Sequence, residues 1–442
     1  MDTLAPASPL PAVLEPSRET LAAATAPEWV AKLRRDGLAA ARALPMPRLG
    51  DELWRYSETR SLSLEGFAPA AEPSEAVASS LIARSALVND AAGIAVFVDG
   101  HCVLKPTLSP ELAAKGVVFE TLADAIKHRP ALLQAYLLKH KAELGSARFL
   151  ALHSAWLGAG TVVHVPKGVR VEQPFVAVHW TSAEGAAVFP HTLIVAEESS
   201  EVTMADFLLG ATRETKALSI SAADVHAGPN ASVNRLSVQD WGLGTQSFQV
   251  DNTVGGRDAR ITSVNASLGS RRARLENVVR IEGPGADVRL YGISVSDGEQ
   301  EFDQRTLQVH AAGSATSDLL FKNALLGKSR TIFSGLIKVA PDAQKTDAYQ
   351  TNRNLLLSPD AEANSLPGLE IEANDVKCSH GATTGQIDPA ELFYLRARGI
   401  PLESAQELLA FGFLEEIVGK VAHAGLAEVL RQRLQSKFQR TK

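Results

Sequence analysis

The sequence has little cysteine and no extended apolar segment. Two cysteines, Cys102 and Cys378, in 442 residues exclude a disulfide framework, and neither belongs to a Cys-x-x-Cys pair. The chain therefore cannot build a closed four-cysteine metal site by itself. A membrane-spanning helix needs about 18 consecutive apolar residues, and no such run occurs. The first residues also lack the basic and apolar parts of a secretory signal, so we expect a cytoplasmic protein without a membrane span.

An excess of basic residues and the common catalytic motifs are also missing. The 44 Lys and Arg residues stand against 50 Asp and Glu residues, and the formal net charge is −6. This balance provides no basic surface for nucleic acid, so we expect no nucleic-acid partner. The sequence contains no G-x-x-x-x-G-K-[ST] phosphate loop, no H-E-x-x-H zinc motif and no G-x-S-x-G nucleophile motif.

A repeat organises the middle of the chain, which from about Phe149 to Leu369 reads as short β-strands between turns. Four-residue turns that end in alanine recur there, with the terminal alanines at Ala231, Ala259, Ala286, Ala315 and Ala343. The successive spacings are 28, 27, 29 and 28 residues, and a weaker turn ending at Ala361 follows after only 18. An even period with strand content is typical of a solenoid whose units bury their apolar faces on one another. The sequence therefore predicts a mainly β protein with a parallel β-helix core.

Helical patterns flank the predicted β-helix on both sides. We predict a mostly helical N-terminal domain with a flexible tail (1–147), a β-helix core (148–387) and a C-terminal helical domain (388–442). In the first domain, a helix is predicted from Glu19 to Ala43. The last domain begins with Asp388 as a helix cap and Pro389 at the first helical position. Because a β-helix has an exposed strand edge at each end, we expect the helical flanks to cover these edges.

The C-terminal segment has more apolar side chains than about fifty residues can easily bury. These side chains are Leu392, Phe393, Leu395, Leu408, Leu409 and Phe411. We expect some of them to bind a partner protein, and we expect a chain that ends at Asp388 to keep a folded β-helix.

A thiol and an imidazole, Cys378 and His380, lie two residues apart near the start of the C-terminal domain. In a strand the two side chains would point to the same face, and together they suit iron or zinc. One Cys and one His leave a four-ligand ion incompletely held, so a metal site requires ligands from a second chain. The alternative is a buried cysteine of the last coil beside a turn histidine. The histidines of the β region are expected to be structural, namely His153, His164, His179, His191, His226 and His310.

Five stretches of the chain carry a family resemblance. They are Val-Lys-Cys-Ser-His-Gly-Ala-Thr (376–383), Leu-Phe-Tyr-Leu-Arg-Ala-Arg-Gly-Ile (392–400), Glu-Leu-Trp-Arg-Tyr (52–56), His-Val-Pro-Lys-Gly (164–168) and Tyr-Gln-Thr-Asn-Arg-Asn-Leu-Leu-Leu (349–357). In this arrangement, over nearly the whole chain, they resemble the SufD family of scaffold subunits in the SUF iron–sulfur cluster assembly system. The paralogous SufB family typically has His-Glu-Ala-Thr-Thr where this chain has Gly381 after His380, so Gly381 favours SufD.

The resemblance implies a non-catalytic scaffold that works with two partners. The β-helix core would pair with SufB, and the C-terminal helices would hold the ATPase SufC, which would hydrolyse ATP. In the family, the histidine at the position of His380 is proposed to join a SufB cysteine in holding a nascent Fe–S cluster or iron. Cys378 matches a recurrent cysteine. The isolated chain is expected to hold no cluster.

The alternative hypothesis is a β-helix enzyme that acts on a polysaccharide. Such an enzyme would present clustered Asp or Lys and Arg side chains at matching positions of successive coils. The candidates Asp240, Asp251, Asp258 and Asp287 do not fall at matching positions of the repeat.

Overall fold

The structure, a computed structural model, describes residues 9–17, 20–21 and 26–440. Its helices are α1 Glu28–Ala43, α2 Glu75–Ala83, α3 Pro110–Ala114, α4 Leu122–His128, α5 Pro130–Tyr136, α6 Ala147–Ala155, α7 Pro389–Arg396, α8 Leu402–Val418 and α9 Ala424–Arg440. Its strands are β1 Gly93–Val98, β2 His101–Leu104, β3 Val118–Thr121, β4 Gly160–Val165, β5 Phe175–Thr181, β6 Ala186–Val188, β7 His191–Ala196, β8 Glu201–Gly210, β9 Ala217–Ala227, β10 Ser232–Asp240, β11 Gln246–Gly255, β12 Arg260–Ser267, β13 Arg272–Ile281, β14 Asp287–Ser296, β15 Glu301–His310, β16 Thr316–Leu325, β17 Arg330–Val339, β18 Asp347–Leu356, β19 Glu362–Ile371 and β20 Lys377–Gln386. None of the helices within these described ranges is long and apolar enough to span a membrane.

The strands wind between two long sheets. The first sheet has the order β2-β1-β5-β8-β10-β12-β14-β16-β18-β20, and the second runs β19-β17-β15-β13-β11-β9-β7-β4-β3, with β6 beside β9. From β7 onward the chain alternates between the sheets, and neighbouring strands pair in parallel except for β1 with β2 and β3 with β4. One coil therefore consists of one strand from each sheet, and there are about 8 coils. The predicted parallel β-helix core with helical flanks is confirmed.

The alanine turns precede five consecutive strands of the first sheet, β10, β12, β14, β16 and β18. Ser232, Arg260, Asp287 and Thr316, which follow four of these alanines, are Cα partners in adjacent strands. The five alanines are all buried, because each turn tucks its last residue under the coil. The period of 27 to 29 residues is therefore the length of one coil. The turn at Ala361 precedes β19 of the second sheet, which explains why its spacing of 18 residues breaks the period.

Helices cover the outer faces of the sheets. On the second sheet, α6 packs through Phe149, whose ring stacks on Phe248 of β11 with centroids 3.7 Å apart. On the first sheet, α8 and α9 pack through Leu414, Ile417 and Leu430, in one apolar cluster with strands from β1 to β16. Where helices cover the outer face of a sheet, its strands are buried on both faces. Their sequences are then continuous apolar runs instead of an alternation of apolar and polar residues.

Two assignments near the first predicted boundary differ from the structure. Residues 147–155, which lie at the start of the predicted β region, form α6, and the next strand begins at Gly160. This helix is buried on nearly all sides, so its sequence lacks the alternation of apolar and polar faces by which a surface helix is recognised. The strand Gly93–Val98 pairs in parallel with β5, so the first sheet begins within the predicted N-terminal domain. The division of the chain at residues 148 and 388 stays a prediction.

Part of the N-terminal tail is packed against the rest of the chain. Leu10 and Leu14 are buried in an apolar cluster with Trp54, and the Trp156 indole N–H donates to the Leu14 carbonyl at 2.9 Å. The expected flexible tail is therefore wrong for residues 9–16, and residues 1–8 lie outside the described residues. The predicted helix from Glu19 to Ala43 is confirmed in part: Thr20 and Leu21 are helical, Ala26 and Pro27 are not, and α1 runs from Glu28 to Ala43.

A buried charged cluster fixes residues 53–58 to the second sheet. Arg274 on β13 bonds to the Glu276 carboxylate at 2.7 Å and to the carboxylate of Asp303 on β15. It also donates to the Leu53 carbonyl at 2.7 Å and lies 3.7 Å from the centroid of the Trp54 ring. Because buried charges require partners, these contacts hold the N-terminal segment across the outer face of the sheet.

The two ends of the β-helix are closed differently. At the N-terminal end, β1 with β2 and β3 with β4 form antiparallel pairs that complete the sheets. At the other end, β19 and β20 are the last strands of their sheets, and most of their residues are exposed or half-buried. The expectation that helices cover both ends is therefore wrong at the C-terminal end, because α8 and α9 bury their apolar residues against a sheet face.

Candidate functional site at the open end of the β-helix

The strand β20 carries both residues singled out by the sequence, Cys378 and His380. It pairs in parallel with β18, with Cys378 beside Ala348 and His380 beside Gln350 as Cα partners. Within the described parts of the chain, no strand pairs with its other edge. An unpaired strand edge of ten residues presents free backbone N–H and C=O groups to another chain.

His380 continues a row of side chains that is buried in the preceding coil. Gln350 and Asn352 on β18 are buried, and the corresponding residues of β20 are His380 and Ala382, which are both exposed. The difference arises because no further coil packs on β20. Cys378 and His380 are separated by one residue of a regular strand, so they share a face, as the spacing predicts.

Cys378 and His380 differ in their surroundings. Cys378 is half-buried against an apolar cluster that includes Ile337, Val339 and Ala348. Burial raises the pKa of the Cys378 thiol, and the charge of the Asp347 carboxylate raises it further. The thiol is therefore protonated at neutral pH, and the thiolate is the form that binds metals. The exposed imidazole of His380 is the more accessible ligand of the two.

A complete metal site is absent from the described residues. They contain no group of three or more His, Cys, Asp and Glu side chains that could hold a metal ion. His380 can therefore supply one ligand to iron, and the remaining ligands would come from outside the chain.

The histidines of the β region lie in structural positions. His153 and His191 are buried and hydrogen-bonded to each other at 3.0 Å between Nε2 and Nδ1. Asp224 lies 3.3 Å from the other ring nitrogen of His191. His164 bonds to Glu197 at 2.9 Å, beside the turn that leaves β4. These contacts fit the structural roles expected for the histidines.

The six apolar residues predicted to bind a partner divide into two groups. Phe393 on α7 is 73% exposed and Leu408 on α8 is 55% exposed. The other four, Leu392, Leu395, Leu409 and Phe411, are half-buried. Two further exposed apolar side chains, Tyr394 and Leu402, were not among the predicted residues. Tyr394 lies in the 392–400 motif, and its exposure could not be read from that motif because α7 buries none of its residues.

The carboxylates considered for a polysaccharide enzyme do not form an active site. Asp251 is buried and paired with Arg235 at 2.6 Å, whereas Asp240 is 3.3 Å from Arg433. Asp258 and Asp287 lie near the turns that begin β12 and β14. No two of the four are Cα partners in adjacent strands. The enzyme hypothesis is therefore not favoured.

The fold and the open last coil define the class: a two-sheet parallel β-helix with helical flanks, one end of which carries an exposed histidine on an edge strand. The family model described as the SUF system FeS cluster assembly, SufBD core domain, matches residues 179–413, and that of the SufBD protein N-terminal region matches residues 14–176. The chain therefore belongs to the SufBD family of the SUF iron–sulfur cluster assembly system. Within that family it is of the SufD type, as Gly381 predicted.

Individual relatives agree with this assignment. The chain is 29% identical over 412 residues to the iron–sulfur cluster assembly protein SufD of Bacillus subtilis, which covers 91% of this chain and 93% of that protein. It is 29% identical over 345 residues to SufD of Escherichia coli, covering 77% and 78% of the two chains. An iron–sulfur cluster assembly SufBD family protein of Mycobacterium leprae is 31% identical over 274 residues, or 60% and 68% of the two chains.

Proposed function

We propose that this chain is a non-catalytic, cytoplasmic scaffold subunit that builds and transfers nascent Fe–S clusters together with a SufB-type chain and a SufC-type ATPase. The observation that carries the proposal is the exposure of His380 on the edge strand β20, at the open end of the β-helix. The isolated chain holds no cluster, since a single imidazole supplies one ligand.

A second β-helix is the partner that suits this end of the molecule. The edges of β19 and β20 can pair with strands of another chain, which would continue both sheets by one coil. The row that contains Gln350 and His380 would then be covered by the partner. Pairing with a SufB-type core in this way would bring His380 to the interface.

The chemistry at that interface favours His380 over Cys378. A neutral imidazole binds iron through a ring nitrogen, and a thiolate of the SufB-type chain would supply a second ligand. Such a mixed site is open, which suits a scaffold that passes its cluster on. Cys378 is a weaker candidate because burial raises the pKa of its thiol.

The exposed apolar side chains of α7 and α8 support binding of the ATPase. Phe393 and Leu408 are largely exposed, while Ala410 and Leu414 of α8 are buried against the first sheet. Helix α8, which carries Leu408, is therefore held against the sheet, and a rigid apolar anchor loses little conformational entropy on binding. Of the six predicted residues, Phe393 and Leu408 would contribute most to SufC binding.

The cluster-holding role is tested by His380→Ala in the complete complex of the chain with SufB-type and SufC-type partners. Because His380 is exposed, we expect folding and complex formation to be unchanged. Bound iron and visible absorbance after cluster assembly should fall, and Cys378→Ala should have a smaller effect. Ser379→Ala, in the exposed residue between them, is the control. A normal cluster yield with His380→Ala in an intact complex would show that this histidine is not a ligand.

The ATPase surface is tested by Phe393→Ala and Leu408→Ala. If each is an anchor of the interface, its loss costs about 2 kcal/mol, or about 30-fold in affinity for the SufC-type subunit. Calorimetric titration measures this affinity, and Leu49→Ala, at another exposed leucine, is the matched control. Unchanged affinity in both variants would mean that the ATPase binds to a different surface.

A further inference from the structure

The second sheet carries a row of charged side chains whose sign alternates from strand to strand. Arg272 on β13, Glu301 on β15, Arg330 on β17 and Glu362 on β19 are successive Cα partners in the parallel register. Arg330 lies 3.6 Å from the Glu301 carboxylate and 3.1 Å from the Glu362 carboxylate. Opposite charges that face each other across neighbouring strands stabilise the pairing of those strands. The row ends at Glu362, because β19 is the last strand of its sheet.

A second ion pair joins the other ends of β17 and β19. Lys338 on β17 is the Cα partner of Glu370 on β19, and its ammonium group lies 3.4 Å from the Glu370 carboxylate. Glu362 and Glu370 are eight residues apart in one strand, so their side chains share a face. This face is the outer one, since Phe333 of β17, which points the opposite way, packs on Phe321 of the first sheet. β17 therefore has a positive charge at each end of its outer face, and β19 has a negative charge at each end.

Both carboxylates of β19 are accessible to a further strand. The side chains of Glu362 and Glu370 are 50% and 54% exposed. Glu362 also accepts a hydrogen bond from the Asn364 side chain at 2.8 Å. A carboxylate has about four acceptor sites, so each can bind a second cation on the side away from β17. The outer-face residues between the two glutamates, Asn364, Leu366 and Gly368, are uncharged.

The charge around the open end has the same sign as the two glutamates. Residues 358–391, from the turn before β19 to the first turn of α7, contain seven Asp and Glu residues and one Lys. This net charge of −6 equals that of the whole chain. A field of one sign speeds the encounter with a surface of the opposite sign and disfavours surfaces of like charge.

A second copy of this chain lacks the charges that would match this edge. Its β19 would bring its own two glutamates, and like charges across neighbouring strands are destabilising. Its β20 has Lys377 beside Asp347 on the outer face, but the residue eight positions further on is Gly385. The strand that matches β19 at both ends therefore belongs to a different chain.

We propose that Glu362 and Glu370 select the partner of the open end, namely a β-helix edge strand with Arg or Lys at two outer-face positions eight residues apart. The inference rests on the proposed function, in which a SufB-type chain covers this end, and it assigns the chemistry by which that chain is recognised. Backbone hydrogen bonds along β19 give affinity without reading sequence, so the side chains decide the partner. A slip of two residues, about 7 Å, would separate both ion pairs at once, so the same pairs fix the register.

Calorimetric titration of the full chain with the SufB-type chain, at increasing NaCl concentration, tests the inference. Glu362→Gln/Glu370→Gln keeps the size of both side chains and removes their charge, so it should fold normally, which thermal unfolding verifies. Its affinity should be about tenfold weaker, because two cross-strand ion pairs are lost, and should depend less on NaCl. Glu28→Gln/Glu111→Gln, at two exposed and ion-paired glutamates of α1 and α3, is the matched control and should bind like the unsubstituted chain.

An exchange of charges tests the pairing directly. Glu362→Lys/Glu370→Lys should bind the SufB-type chain more weakly than the glutamine variant, because like charges then face each other. Replacement of the two basic residues in the edge strand of the SufB-type chain by Glu should restore the affinity of this lysine variant at least about tenfold, since both pairs are re-formed with opposite polarity.

Three results would overturn the inference and leave the proposed function in place, because the complex would still form. They are equal affinity of the unsubstituted chain and Glu362→Gln/Glu370→Gln, an edge strand of the SufB-type chain without two basic residues at this spacing, and self-association of this chain as strong as its binding to the SufB-type chain. A failure of the unsubstituted chain to bind the SufB-type chain would instead overturn the proposed function, and the inference with it.

Discussion

Removal of the C-terminal helices is expected to unfold the protein, contrary to the expectation from sequence that a chain ending at Asp388 keeps a folded β-helix. The helices α8 and α9 bury eight apolar side chains in the cluster that covers the first sheet. They are Leu414, Ile417, Val418, Leu426, Val429, Leu430, Leu434 and Phe438. Their removal would also uncover the buried residues of the sheet beneath, including Phe207, Ile293 and Leu320.

The size of the effect follows from this burial. Each fully buried large apolar side chain contributes about 1.5–3 kcal/mol relative to exposure, so eight contribute at least about 12 kcal/mol. Native proteins are stable by about 5–15 kcal/mol in total. The truncated chain would therefore lose most or all of its free energy of unfolding, and its uncovered sheet would aggregate.

The assay compares the chain ending at Asp388 with the full chain by circular dichroism, size-exclusion chromatography and thermal unfolding. A soluble monomer with strand signal and a melting temperature within a few degrees of the full chain would refute the reasoning. A matched pair of substitutions isolates the cause. Leu430→Ala, at a buried position, should cost about 2–5 kcal/mol. Leu408→Ala, at an exposed position of α8, should stay within about 0.5 kcal/mol.

Two further predictions concern buried charge. Arg274→Ala removes the arginine that pairs with the buried Glu276 carboxylate and one of the two arginines that pair with Asp303, so it should cost about 3–5 kcal/mol in denaturant unfolding. Arg271→Ala, in a half-exposed pair, should cost less than about 1 kcal/mol, and equal costs would contradict the argument. Burial lowers the pKa of His179 from 6.5 to about 3, so the unfolded chain binds a proton that the folded chain excludes, and stability present above pH 6.5 is lost as the pH falls toward 3. The loss at pH 4.5 should reach about 2–3 kcal/mol, and it should be smaller in His179→Phe; identical pH dependence of the two proteins would contradict it.

Local chemistry made the coils and the helix starts predictable. The alanine turns recur because each coil needs a tight turn with a small buried residue at its end. Four consecutive residues of the chain meet this requirement, so the turn can be recognised from the sequence. The start of α7 was predicted for the same reason, since the Asp388 side chain accepts a hydrogen bond from the Ala390 amide at 2.8 Å. The spacing of Cys378 and His380 likewise predicted a shared face in a strand.

Packing between distant segments could not be predicted in this way. Whether His380 is exposed depends on the absence of a further coil on β20, and the burial of Cys378 depends on Ile337 and Val339 in β17. The position of α8 and α9 depends on the apolar outer face of the first sheet, which strand alternation alone did not distinguish from the inner face.

The sequence by itself determined the β-helix, its period and the strand that carries His380, because these features arise from residues that are neighbours in the chain. Only the tertiary structure decided which surfaces are covered and which are open. The buried charged cluster is the clearest case, since Leu53, Arg274 and Asp303 come from three separate segments of the chain. These residues come into contact only after folding, so no local sequence pattern could predict the contact.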